Sequence, residues 1–129
     1  MNTTYTVADV LKITLNKLGV DYDNTEARNI EDAHRNLNLM LEGWGADPDL
    51  AIHRIVPMGG YTSVTDTIDA PGEYALAMAL NLTLLLASDY DQSMDKLFIA
   101  QAATAIENIK TFNIRRIGGR IPANIPTVL

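Results

Sequence analysis

No cysteine occurs in the 129 residues. Disulfides and thiolate chemistry are therefore excluded, and the absence agrees with folding in a reducing cytoplasm. The opening residues, Met1-Asn2-Thr3-Thr4-Tyr5, hold neither a basic start nor an apolar stretch, so no secretory signal is read there. No apolar run reaches the roughly 20 residues that a bilayer span requires. The most apolar stretch, Ala75 to Ala87, is interrupted by Asn81 and Thr83 and reads as a buried core helix. Internal repeats and low-complexity tracts are also lacking. What is present is 47% hydrophobic and 20% charged, which suits one globular domain with a single core.

Acidic residues stop at Glu107. Residues 1–109 hold six basic and sixteen acidic side chains, a net of −10, within a total of −6. Residues 110–129 hold Lys110, Arg115, Arg116 and Arg120 with no acid, a net of +4. The acidic body argues against a tight grip on duplex nucleic acid, which needs many Lys and Arg contacts to phosphate. The basic end is expected to dock on a protein, an acidic surface being the complementary one. Contact with DNA phosphates is the alternative, but three arginines are few for it.

The apolar spacing gives four helices. Thr6 is a candidate N-cap with Asp9 three residues on, a weaker form of the capping box. Val7, Val10, Leu11, Leu15 and Leu18 share one face, and Gly19 suits a left-handed C-terminal position, so a first helix is expected over 7–18. A second stripe, Ala27, Ile30, Ala33, Leu37, Met40, Leu41 and Trp44, predicts a helix over 26–44 that Gly43, Gly45 and Pro48 bring to an end. The short link favours an antiparallel pair. Residues 52–68 are rich in Ile, Val, Thr and Tyr around Gly59-Gly60. They read as a β-hairpin or extended arm with Gly-Gly at its turn, Pro57 making one side an edge. Such a projection must lie on its own helices or on another subunit. Asp69 to Glu73 starts a third, central helix, with Pro71 in its first turn. Ser93 is a candidate cap for a fourth over 94–112. Residues 113–129, with Gly118-Gly119, Pro122 and Pro126, are expected to be extended rather than helical. Ile114, Ile117, Ile121 and Ile125 make this an arm for binding rather than a disordered tail.

Residues that could carry chemistry are sparse. His34 and His53 are the only histidines. His34 has Glu31 one helical turn earlier, a pair able to bind a metal or move a proton, though a surface or interface histidine is the simpler reading. Asp47 and Asp49, like Asp89 and Asp91, fit turns and caps better than a calcium site of six to eight oxygens. Glu42, Asp47 and Glu73 give no spacing that points to glycoside hydrolysis. Gly59-Gly60 and Gly118-Gly119 lack the flanking pattern of a phosphate loop. Trp44 and Tyr90 read as packing residues. No catalytic, metal or cofactor residue is therefore assigned.

Several weak signals in one order suggest a family. A first helix leaves through Leu18-Gly19-Val20, and a second carries Trp44 near its end. A third begins Pro71-Gly72-Glu73-Tyr74-Ala75-Leu76 and continues through Asn81-Leu82 to Asp89-Tyr90. Over about residues 6–112 this resembles the head-to-tail connector, or portal adaptor, proteins of tailed phages, and among them the DNA-stabilising tail accessory factors of short-tailed phages. The resemblance implies a mainly α, four-helix bundle-like connector domain over 1–112. A hairpin or loop would project at about 50–69, and an extended docking arm would occupy 113–129. It further implies a dodecameric ring in the virion neck, assembled in the host cytoplasm. The ring would bind the portal protein above, neighbouring copies at its sides and tail or nozzle proteins below. Double-stranded DNA would pass through it without tight binding, and no membrane is involved.

On that basis Ile114, Arg115, Arg116, Ile117, Arg120, Ile121 and Ile125 are expected to bind the portal. Ile55, Val56, Met58, Tyr61 and Val64 are expected to form an arm between subunits. The alternatives are a small helical regulatory module that docks one partner through its C-terminal arm, and, less favoured, a small enzyme.

Overall fold

Thr6 and Asp9 form the reciprocal cap that the sequence suggests. Asp9 N donates to Thr6 Oγ1 at 3.1 Å, and Thr6 N donates to Asp9 Oδ2 at 2.9 Å. A computed structural model describes residues 4–118, with side chains as far as Ile114. The described chain is mainly helical with one small two-stranded sheet. Helix α1 spans Val7–Lys17 and buries Val7, Val10, Leu11, Thr14 and Leu15. Gly19 follows at φ +80°, where side chains are strained, and lets Val20 N reach Leu15 O at 2.8 Å.

Helix α2 spans Ala27–Trp44, within a residue of expectation, and buries Ala33, Leu37 and Leu41 at four-residue steps. Past Gly45, Asp47 caps a 3-10 turn over Pro48–Leu50, and a second such turn covers Ile52–Arg54. Strand β1 (Tyr5–Thr6) pairs antiparallel with β2 (Thr67–Ile68), Tyr5 opposite Ile68.

This arrangement corrects the hairpin. Residues 52–66 contain no strand, and β2 pairs with the chain's start rather than across Gly59-Gly60. The cause lies in the first turn of α1, whose N–H groups have no partner inside the helix. Val7 N donates to Asp66 O at 2.9 Å and Ala8 N to Val64 O at 2.7 Å. Residues 64–66 are thus held at the start of α1 rather than against the residues before Gly59.

Helix α3 (Gly72–Leu86) is apolar nearly all round and packs against α1, α2 and helix α4 (Lys96–Gly118). Side-chain hydrogen bonds within α3 and to its neighbours add to the packing. Ala79 O takes Thr14 Oγ1 at 3.0 Å and Thr83 Oγ1 at 2.7 Å, and Asn81 Nδ2 reaches Ala102 O at 3.1 Å. Among the described residues no buried side-chain polar atom is left without a partner. A 3-10 turn over Ala87–Tyr90 leads to helix α4, Lys96–Gly118. Asp95, not Ser93, caps it, accepting from Phe98 N at 2.8 Å.

Helix α4 runs six residues beyond the expected boundary at 112. The segment 113–118 is helical, which corrects the arm's starting point. No residue in 113–117 stops a helix, and the first breaker is Gly118. Asn113 also ties this part to the body: its Nδ2 donates to Tyr74 Oη at 3.0 Å and to Asp49 O at 2.6 Å. Lys110 Nζ lies 3.0 Å from Asp47 Oδ2. No helix among the described residues is long and apolar enough to cross a membrane.

Candidate functional site

The link from α2 to α3 is held to α2 by a short set of hydrogen bonds. Asn38 projects from mid-helix and pairs with the backbone of Tyr61. Its Oδ1 accepts from Tyr61 N at 3.0 Å, and its Nδ2 donates to Tyr61 O at 3.0 Å. One turn earlier, His34 Nε2 lies 2.9 Å from the same carbonyl. Since a carbonyl only accepts, Nε2 carries the proton. His34 is therefore a structural donor and does not pair with Glu31. Among the described residues no cluster of three or more His, Cys, Asp or Glu is placed to hold a metal ion.

Gly59 and Gly60 both sit at positive φ, +84° and +90°. Gly60 N closes a turn onto Pro57 O at 2.9 Å. The turn directs Tyr61 inward, where it is only 2% exposed, and its hydroxyl donates to Ile55 O at 3.3 Å. Asp66 organises the next stretch, accepting from Thr62 N, Ser63 N and Thr62 Oγ1. These bonds, led by the one from the Ser63 backbone, hold its carboxyl below the usual aspartate range.

Burial, with a smaller contribution from the Asp66 charge, pushes the Tyr61 phenol from 10.0 up to about 12. A group whose folded value is raised contributes fully below its unfolded value and loses that contribution as pH climbs to the folded one. Stability should therefore fall between pH 10 and 12. Urea midpoints at pH 9 and pH 11 test this. The wild type is expected to lose more between the two than Tyr61→Phe, and equal losses would remove Tyr61 as the cause.

The bonds from Asn38 and His34 to Tyr61 leave a groove between α2 and residues 52–60. Its cavity is about 460 Å³, walled by Leu39, Leu41, Ile52, Val56, Pro57 and Met58, with Arg35, Glu42 and His53 among the other lining residues. Leu39 is 59% exposed and Met58 fully exposed. A contiguous uncovered apolar surface of this kind marks an interaction site more often than scattered exposed leucines do.

The expected site residues divide accordingly. Ile55, Val56 and Val64 are half-buried against the protein's own core, and Tyr61 is buried. Tyr61 is thus an anchor within one subunit, which corrects its place in a projecting arm. Met58 alone of the five stands free. Ile114 is exposed near the end of α4. Arg115, Arg116 and Ile117 belong to the helical span of α4, while Arg120, Ile121 and Ile125 lie outside the described residues. Sequence reasoning missed Asn38 and Asn113. The signal for Asn38 was an asparagine in a helix interior, where its side chain competes with the helical backbone unless it has another partner.

Comparison with protein-family models, curated proteins and solved structures gives no match to this chain.

Proposed function

We propose that the chain is a structural adaptor, one subunit of a ring that joins a phage portal vertex to the tail. In this reading the four helices form a bundle-like connector domain. The ring extends the DNA channel and helps retain packaged DNA. Support comes from the order of elements together with uncovered apolar surface on several parts of a body whose core is already filled. Leu39 and Met58 lie at the groove, Leu97 and Ile99 near the start of α4, and Ile114 near its end. This distribution carries the proposal, because a ring subunit needs separate surfaces for two neighbours and for the parts above and below. The acidic body also fits a channel past which DNA slides, since like charge lowers affinity for phosphate.

Light scattering on the purified protein, alone and mixed with its cognate portal, tests the reading. The expected result is a monomer or loose oligomer that joins the portal in a ring of matching copy number. Deleting residues 119–129 should abolish that joining with helical circular dichroism unchanged. A stable monomer or dimer that ignores the portal would instead favour a regulatory module with one partner.

A further inference from the structure

The α2 groove is open, apolar and unfilled by any described residue. Its position relative to the end of α4 suggests what fills it. Asn113 bonds to Asp49 O and Lys110 pairs with Asp47, so the last turns of α4 run beside the segment 47–50. The loop-side wall of the groove begins at Ile52, two residues past that segment. From Gly118 onward the chain can advance up to roughly 3.6 Å per residue, so Ile125 can lie as much as roughly 25 Å away.

The chemistry of residues 119–129 complements the groove. Ile121 and Ile125 are each followed by proline, which disfavours helix and suits an extended segment laid along an apolar wall. Arg120 precedes them. At the groove, Glu42 is exposed and makes no ion pair among the described residues, whereas Arg35 is already paired with Asp32 at 2.9 Å. The available charge at the site is therefore negative, and the segment brings a positive one.

We infer that residues 119–129 occupy the α2 groove of their own subunit while it is unassembled, Ile121 and Ile125 lying against Leu39, Val56 and Met58 and Arg120 reaching Glu42. The inference goes beyond the adaptor role and does not depend on it. Any partner that takes the segment must first displace it from the groove, which shields both apolar surfaces until that partner is present.

The lack of native cysteine makes a direct test clean. The full chain carrying Met58→Cys and Ile125→Cys is oxidised mildly at dilute protein, and the products are separated without reductant. The expected product is a cross-linked monomer. Adding Leu39→Glu, at a site exposed enough to leave the fold intact, should slow its formation about tenfold. Cross-linked dimers in place of monomers would overturn the inference and assign the groove to a neighbour's segment. Monomer closure that Leu39→Glu leaves unchanged would also overturn it, since cross-linking would then owe nothing to the groove. The assay contains no portal, so its failure leaves the adaptor proposal standing, and failure of portal binding leaves this result standing.

Discussion

Leu82→Ala is expected to lower the unfolding free energy by about 3 kcal/mol and the melting temperature by about 10 °C. Leu82 is fully buried near the middle of α3, the helix that packs against each of the other three. Truncation removes its transfer energy and leaves a cavity that cannot close easily. The neighbours are held in place by Thr14 and Asn81 bonds to helix carbonyls, which limits how far α1 and α4 can move inward. Leu85, three residues on, is half exposed and supplies the control. Leu85→Ala should cost less than about 1 kcal/mol, since most of that side chain is never removed from water. Urea titration of both variants, with the slope unchanged, gives the comparison. Equal costs would mean that the side of α3 facing the other helices has been misplaced.

The helices were legible because their signals are local. Thr6 with Asp9, the four-residue stripe of α2 and the all-round apolarity of α3 each fix an element through its own residues. The loop was not legible, because its structure depends on partners distant in sequence. Nothing in residues 52–68 announces that Val64 and Asp66 carbonyls will serve the start of α1, or that Asn38 will claim the backbone of Tyr61. An alternating, β-rich composition with Gly-Gly at its centre suits a hairpin equally well until those donors are counted. The end of α4 is hidden for a related reason: glycine and proline after 117 make the whole tail read as extended, although 113–117 contains no breaker and Asn113 has two acceptors on the body. Met58 and Ile114, which the sequence singles out for their apolar character, are exposed, whereas the groove is not legible in the sequence, because it is made by two segments brought together in the fold.

Gly60→Ala is expected to cost about 3 kcal/mol, by two routes that can be separated. Gly60 has φ +90°, a conformation that strains any side chain by about 1 kcal/mol or more. An added Cβ would also lie 2.7 Å from Asn38 Cγ and Oδ1. Asn38 could swing aside, but only by giving up both bonds to Tyr61, each worth about 1 kcal/mol. Gly59 shares the strained backbone, at φ +84°, and has nothing within 4 Å of an added Cβ. Gly59→Ala should therefore cost only about 1 kcal/mol, the backbone contribution alone. A double-mutant cycle isolates the remainder: with Asn38→Ala already present, Gly60→Ala should cost no more than Gly59→Ala does in the wild type. Hydrogen exchange provides a local check, because the Tyr61 amide should lose protection in Gly60→Ala and keep it in Gly59→Ala. Full additivity in the cycle would show that Asn38 does not hold the loop. The groove would then lack the fixed wall on which a docking role depends, since a loop free of α2 must be ordered again at each binding event and weakens binding accordingly.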